Sequence, residues 1–168
     1  MKYKFLVLDI DGTVTNSKKE VTPKTLEAVV GLQKRGIPVA IASGRPVQGV
    51  SKVASVLRFQ DFGSYVLPFN GARILNFRTK ECIYSKTLPL HLPGRLVKDA
   101  RENGVGIITY EGDKIIAGTQ PDKYMQIEAD INNIPVVWEK KFETYVNFPV
   151  NKCLLTGDPV DLEEIGRA

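Results

Sequence analysis

The stretch FLVLDIDGT at residues 5–13 decides the fold class. Phe5–Leu8 is a continuous apolar run, which is typical of a strand buried in a parallel sheet. Asp9, Asp11 and Gly12 follow it at once, so a polar turn is expected where the strand ends. Ligands of open α/β sheets bind at the carboxyl ends of the strands, and this turn is therefore a candidate functional site.

The residues that follow repeat an alternation of helix and strand. Thr22 can cap a helix that begins at Pro23, because a hydroxyl before a proline is a common helix start. Val39–Ala42 is a second short apolar strand, Pro46 opens another helix, and Tyr65–Phe69 is a third strand. This order predicts an α/β, doubly wound, Rossmann-like core with right-handed crossovers.

The pattern changes after Asn70-Gly71 from helix–strand alternation to paired short strands with helices between them. We therefore predict two domains, the N-terminal part of an α/β core at residues 1–76 and a mixed α+β domain at residues 77–168. The elements predicted after Gly71 are strands at 72–75 and 82–84, a helix at 93–103, strands at 105–110 and 114–118, a helix at 121–132, a strand at 150–155 and a helix from 158.

Composition excludes several classes of protein. The formal charge is +4, but no dense Lys/Arg run or basic stripe with interleaved aromatics occurs, which disfavours nucleic-acid binding. Cys82 and Cys153 form no CxxC pair, and free cysteines suit a reducing compartment. No apolar stretch is long enough to span a bilayer. A cytoplasmic protein without nucleic-acid or membrane partners is expected.

The DIDGT turn has the residue types of phosphoryl transfer. A carboxylate at the position of Asp9 can act as a nucleophile and form an aspartyl-phosphate. Asp11, two residues on, can protonate a leaving oxygen and later activate water. Gly12 allows the backbone to approach phosphate closely, and the Thr13 hydroxyl can hydrogen-bond phosphoryl oxygens. The alternative is a plain turn with two solvated acids before a glycine.

Two further motifs follow the second and third predicted strands. Ser43-Gly44-Arg45 closes the second strand before a helix, where a hydroxyl and a helix N-terminus can bind phosphate. Arg45 is a candidate contact for an anion. Asn70, before Gly71 at the end of the third strand, is a candidate substrate contact, although Asn-Gly is also an ordinary turn pair.

The DIDGT and SGRP motifs resemble the first two motifs of the haloacid dehalogenase superfamily, in the form found in its Cof-like branch. The resemblance implies that Asp9 is the nucleophile and a Mg²⁺ ligand. It implies that Asp11 is the general acid/base and binds the metal through its backbone carbonyl, and that Ser43 binds phosphate. It also implies that the segment after the third strand is a cap that closes over the site and selects a small phosphorylated metabolite, sugar phosphates especially.

This superfamily also uses a lysine and a Gly-Asp acidic motif C-terminal to the cap. Lys152 and Asp158 superficially offer both, but Asp158-Pro159 is better explained as a helix start. We therefore expect both motifs to be absent from this chain, and the first strand to lie at an open sheet edge through which the chain could self-associate. We expect weak or no activity from the 168-residue chain alone.

Three functions compete on this sequence. The leading hypothesis is a Mg²⁺-dependent phosphomonoester hydrolase. The alternative is a non-catalytic phosphate-binding fragment that needs a partner or a C-terminal part. A phosphoacceptor signalling domain is the third, and the contiguous DIDGT followed by a cap-like segment argues against it.

Overall fold

The computed structural model describes residues 3–165. The chain divides into two compact units between Lys86 and Thr87. None of the helices in the described residues combines the length and the apolar character that a bilayer span requires.

The first unit alternates strands and helices and then ends in a hairpin. Its elements are β1 Leu6–Leu8, α1 Pro23–Lys34, β2 Val39–Ala42, α2 Val47–Val56, α3 Phe59–Phe62, β3 Tyr65–Leu67, a 3₁₀ turn at Phe69–Gly71, β4 Arg73–Asn76 and β5 Cys82–Ser85. The strands form one sheet in the order β1-β2-β3-β4-β5. The first three are parallel and the last two pair antiparallel, which confirms the predicted α/β fold class.

Helix α1 shows how local sequence and packing agree. The Thr22 hydroxyl accepts a hydrogen bond from the Thr25 N–H at 3.2 Å, so it caps the helix as predicted. Val29 lies in the core, and the Gln33 amide donates to the Leu57 carbonyl at 2.9 Å. Because Gln33 is buried, this bond satisfies a group that would otherwise be costly to bury. It also ties α1 to the end of α2.

Strand β1 is one of the two outer strands of this sheet among the described residues, as predicted. Leu6 and Leu8 pack against the core, whereas Val7 on the opposite face is 53% exposed. A groove of about 350 Å³ runs beside β1 and α1, with mainly apolar walls from side chains that include Leu8 and Leu32. Unpaired strand edges with apolar side chains are prone to associate.

The β4–β5 hairpin belongs to the first unit. The predicted end of the N-terminal core at Asn76 stays a prediction, and the first compact unit extends to Lys86. The physical reason is strand pairing, because β4 pairs with β3 and β5 pairs with β4. That the remaining segment is a cap stays a prediction.

The second unit is an α/β structure with its own cores. Its elements are α4 Leu92–Glu102, β6 Gly106–Glu111, β7 Lys114–Ala117, α5 Lys123–Asn132, β8 Val136–Trp138, α6 Phe142–Tyr145, β9 Leu154–Thr156 and α7 Pro159–Ile165. The sheet order is β8-β7-β6-β9. Ile107 and Ile116 face a core that includes α4 and α6, while Ile108 and Ile115 face a second core that includes α5. Alternation along the strands thus places an apolar layer on both sheet faces.

Candidate active site

Parallel pairing brings the carboxyl ends of β1, β2 and β3 to the same end of the first sheet. Leu8 pairs with Ile41, and Ala42 pairs with Leu67. The predicted site residues that follow these strands therefore lie at this end of the sheet. They are Asp9, Asp11, Gly12, Thr13, Ser43, Gly44, Arg45 and Asn70.

A tight turn follows β1 and is organised by the carbonyl of Ile10. This carbonyl accepts hydrogen bonds from the N–H groups of Thr13, Val14 and Thr15 at 3.3, 3.1 and 3.0 Å, and from the Thr15 hydroxyl at 3.0 Å. Ile10 itself is fully buried and anchors the turn. Gly12 has a φ of +76°, a conformation that glycine adopts without strain. The Thr13 N–H points inward to Ile10, so the exposed Thr13 hydroxyl is the group available to a ligand.

The two aspartates of the turn differ in their contacts. Asp9 and Asp11 are both exposed and flank the buried Ile10. Within residues 3–165 the Asp9 carboxylate has no hydrogen-bond or ion-pair partner. The Asp11 carboxylate accepts hydrogen bonds from Arg45, at 2.7 Å from Nη2 to Oδ1 and 3.1 Å from Nε to Oδ2, and from Lys19 Nζ to Oδ1 at 2.7 Å.

These contacts favour the ionised form of Asp11. The hydrogen bond from Arg45 lowers the pKa of the Asp11 carboxyl below its usual value, and Lys19 acts in the same direction. Partial burial opposes them but does not reverse the shift. Asp11 is therefore ionised at neutral pH in this arrangement, which is the form of a general base.

A hairpin turn at residues 15–21 presents Lys19 to the site. The Asn16 side-chain oxygen accepts from the N–H groups of Lys18 and Glu20, at 2.9 and 3.1 Å. The Asn16 N–H donates to the Glu20 carbonyl at 3.0 Å, and the Lys19 N–H donates to the Asn16 carbonyl at 2.9 Å. Lys19 has a φ of +62°, so the turn holds it in a left-handed conformation that is uncommon for lysine.

The loops after β2 and β3 are hydrogen-bonded to each other. The Asn70 N–H donates to the Ser43 carbonyl and the Phe69 N–H to the Arg45 carbonyl, both at 3.0 Å. The buried Ser43 hydroxyl accepts from the Arg45 N–H at 3.2 Å, which leaves its own proton able to donate. The β3 loop therefore fixes the backbone on both sides of Gly44.

This clamp depends on unusual backbone angles. Phe69, Asn70 and Gly71 have φ values of 55°, 58° and 81°, so three consecutive residues are left-handed. Asn tolerates this region, but a bulky residue such as Phe69 is strained there by about 1–3 kcal/mol. A Cβ added at Gly44 would lie 3.4 Å from Asn70 Nδ2, so a side chain at 44 would crowd Asn70. Asn-Gly is thus explained by backbone geometry; its predicted contact with substrate stays a prediction.

The structure brings together part of the predicted site. Arg45 contacts Asp11, and the Ser43 and Asn70 loops are bonded to each other. Lys19 was not predicted from the sequence. The signal that could have found the turn was Asn16, a turn-forming residue between the apolar Val14 and Val21, although it would not have shown where Lys19 points.

The two rejected C-terminal residues lie in the second unit. Asp158 accepts hydrogen bonds from the Tyr124 hydroxyl and from Lys123 Nζ, and α7 begins at Pro159 as predicted. Lys152 is half-buried, and this burial lowers its pKa. The Asp158 side chain thus contacts α5, and its backbone carbonyl accepts from the Leu162 N–H in α7.

The donors available to a magnesium ion are oxygens. The Asp9 carboxylate is exposed and the Asp11 backbone carbonyl lies two residues on, and oxygen ligands suit Mg²⁺. No cluster of three or more His, Cys, Asp or Glu side chains that could hold a metal occurs in the described part of the chain. These residues therefore fit the ion chemically but provide only part of an octahedral set.

Comparisons with known proteins place the chain in a family. A family model for haloacid dehalogenase-like hydrolases matches residues 6–168. A curated relative named "Putative phosphatase M6_Spy0533", from Streptococcus pyogenes, is 28% identical over 163 residues, covering 95% of this chain and 59% of the relative. A haloacid dehalogenase-like hydrolase from Bacteroides thetaiotaomicron is 40% identical with a TM-score of 0.89, over 98% of this chain and 62% of that one.

A third match is a solved sugar phosphatase, BT4131, of haloacid dehalogenase subclass IIB. It is 25% identical with a TM-score of 0.78, over 97% of this chain and 62% of that one. The chain therefore spans less than two thirds of the length of each of these three relatives. With its DIDGT turn at the end of β1 and a family model matched along nearly its whole length, the chain belongs to the haloacid dehalogenase-like hydrolases.

Proposed function

We propose that this protein is a Mg²⁺-dependent phosphomonoester hydrolase that acts through an aspartyl-phosphate on Asp9. The observation that carries the proposal is the pair of carboxylates after β1. Asp9 is exposed and has no partner among residues 3–165, while Asp11 is held by two cations. An exposed free carboxylate is suited to attack, and a fixed carboxylate is suited to proton transfer.

The proposed reaction has two steps. In the first, an Asp9 oxygen attacks phosphorus, the bond from phosphorus to the leaving oxygen breaks, and that oxygen takes a proton from Asp11, which must enter this step in its protonated form. In the second, Asp11 removes a proton from water, the water oxygen attacks the aspartyl-phosphate, and the Asp9 carboxylate is released with inorganic phosphate. Asp11 is the acid in the first step and the base in the second.

The remaining predicted residues bind the phosphoryl group in this proposal. Ser43 and Thr13 donate hydroxyl hydrogen bonds, Gly12 and Gly44 allow close backbone approach, and Arg45 supplies positive charge. Asp9 and the Asp11 carbonyl would hold Mg²⁺, which supplies further positive charge beside the phosphoryl oxygens when bound.

The proposed substrates are small phosphorylated metabolites, with sugar phosphates favoured. The support is the subclass IIB relative, which is described as a sugar phosphatase. Residues 77–168 are proposed to select the substrate as a cap, and a cytoplasmic location is proposed for the protein. Exchange of this segment for that of a relative should change the preferred ester and leave metal dependence intact.

Turnover by the longest available form of the gene product tests the proposal. With Mg²⁺ and a generic phosphate ester, hydrolysis is expected in the wild type and not in D9N. D11N should lose most activity towards esters with poor leaving groups, because only those require a proton donor. Substantial hydrolysis by D9N would refute the nucleophile. Equal losses for good and poor leaving groups in the rate at which D11N phosphorylates Asp9 would refute Asp11 as the acid.

A second candidate is a non-catalytic phosphate-binding fragment that self-associates. The open edge of β1 and the apolar groove beside it favour this reading, because a second copy could pair with the edge and cover the groove. Size-exclusion chromatography and a phosphatase assay of the 168-residue chain test it. A monomer with robust metal-dependent turnover would contradict the fragment hypothesis.

A further inference from the structure

The backbone of the turn at residues 15–21 directs the Lys19 side chain towards the site. The Asn16 side chain fixes the turn through the N–H groups of Lys18 and Glu20, and Lys19 occupies the left-handed position of that turn. Its side chain is 60% exposed, yet its amine lies 2.7 Å from Asp11 Oδ1. Long lysine side chains gain little from exposed ion pairs, so such a built turn indicates a further role for the amine.

The carboxylate of Asp11 does not need a second cation. Arg45 already donates to both of its oxygens, at 2.7 and 3.1 Å, and its side chain is only 15% exposed. A guanidinium that contacts both oxygens is a complete partner for one carboxylate. Lys19 is therefore surplus to the pairing of Asp11.

The formal charges show what the surplus cation does. Asp9 and Asp11 contribute two negative charges and Arg45 one positive charge, so these three side chains together carry a net negative charge. Lys19 brings the sum to zero. A phosphate dianion that approaches two carboxylates is repelled unless nearby cations offset them.

Lys19 also has hydrogen-bond donors to spare. An ammonium group has three N–H donors, and among residues 3–165 Asp11 is the only partner of this one. We propose that Lys19 is an anion-binding residue of this site, which keeps its bond to Asp11 and donates a second one to the phosphate group of the ligand. This assignment rests on the proposed function and adds a phosphate contact outside the DIDGT and SGRP motifs.

The test is the binding of inorganic phosphate to the 168-residue chain with Mg²⁺ present. Isothermal titration calorimetry and NMR titration measure this binding. The variant is K19N, because asparagine tolerates the left-handed turn while removing the amine. The matched control is K18N, which makes the same charge change one residue away. The Lys18 side chain has no partner among the described residues.

K19N is expected to weaken phosphate binding about threefold, the effect of an exposed ion pair. K18N should bind like the wild type, and K19R should recover most of the affinity because it restores a cationic donor. Because both Asn variants change the net charge equally, a difference between them reports direct contact rather than long-range attraction. Unchanged thermal midpoints would show that the turn still folds.

Three results would overturn the assignment. They are absence of saturable phosphate binding in the wild type, equal affinities of K19N and K18N, and failure of K19R to recover binding. The readout is independent of turnover. Weaker phosphate binding by K19N without any hydrolysis would support Lys19 and refute the proposed catalysis. Hydrolysis with an unchanged KM in K19N would support the proposed catalysis and refute Lys19 as a phosphate contact.

Discussion

Replacement of Gly106 by alanine should destabilise the second unit severely. Gly106 begins β6 and pairs with Thr156 on β9. An alanine Cβ at this position would lie 2.5 Å from Asp122 Oδ2 and 2.6 Å from Met125 Cε, and closer still to Thr156 Oγ1. Real Cβ atoms do not approach so closely, so these side chains would have to move.

The cost can be worked from what those side chains hold. Thr156 Oγ1 donates to Asp122 Oδ2 at 2.6 Å, and Asp122 Oδ1 accepts from the N–H groups of Tyr124 and Met125, both at 2.8 Å, as the cap of α5. Overpacking costs about 1–3 kcal/mol, and loss of a helix cap about 1 kcal/mol. Because one shift produces both effects, we expect a loss of about 3 kcal/mol in the free energy of unfolding.

Urea denaturation of the 168-residue chain measures this loss. Trp138 is the single tryptophan and lies in β8 of the second unit, so its fluorescence reports on that unit. The matched control is G94A in α4, where a Cβ would meet its nearest atom, the Glu143 carbonyl oxygen, at an ordinary 3.5 Å. G94A should be neutral or stabilising by up to about 1 kcal/mol. A G106A variant within about 1 kcal/mol of wild type would refute the packing described here.

Three further outcomes are expected. N70V should lower the free energy of unfolding by about 1–2 kcal/mol in urea denaturation, because a β-branched residue is strained at a φ of 58°, whereas N70G should be close to neutral. Burial raises the pKa of the Cys153 thiol to about 11 from its usual 9.0, so the unfolded chain ionises first and stability should fall as pH rises across that window. C153A should flatten this part of a stability–pH profile, and an unchanged slope would contradict it. V7K should reduce any self-association seen by analytical ultracentrifugation, because a lysine on an edge strand opposes pairing; an unchanged association state would exclude that edge.

The elements with strong local signals were predictable from the sequence. Strand β2 was predicted at Val39–Ala42 and has those bounds, because a short apolar run between Pro38 and a polar turn leaves little choice. Helix α1 begins at Pro23 after the Thr22 cap, as predicted. In both cases the residue that fixes the boundary, Pro38 or Thr22, lies next to the element in the sequence.

Elements that depend on distant partners were missed. Strand β8, Val136–Trp138, was not predicted, because its three residues form a strand only by parallel pairing with β7. Helices α3 and α6 have four residues each, too few for a helical apolar pattern to appear. The last strand was predicted at 150–155 but spans Leu154–Thr156, because pairing with β6 involves only these residues.

The site likewise combines residues that local sequence predicts with contacts that depend on the folded structure. Asp9, Asp11 and Ser43 were predictable because each follows a strand of a parallel sheet, and such strands share one edge. The contact of Arg45 with Asp11 joins two loops that are 34 residues apart in the chain. The position of Lys19 depends on the geometry of one turn, which composition does not reveal. Sequence therefore named Asp9, Asp11 and Arg45 as candidates, but it showed neither the contact of Arg45 with Asp11 nor the position of Lys19.

Chemical mapping of the phosphorylated residue tests the central claim most directly. The longest available form of the gene product would be mixed with a phosphate ester and Mg²⁺, quenched in acid and reduced with borohydride, which converts an aspartyl-phosphate to homoserine. Trypsin cleavage after Lys4 and Lys18 then releases one peptide that contains both Asp9 and Asp11. Our account predicts homoserine at position 9 in the wild type and its absence in D9N. Homoserine at position 11, or hydrolysis without any reduced aspartate, would contradict it.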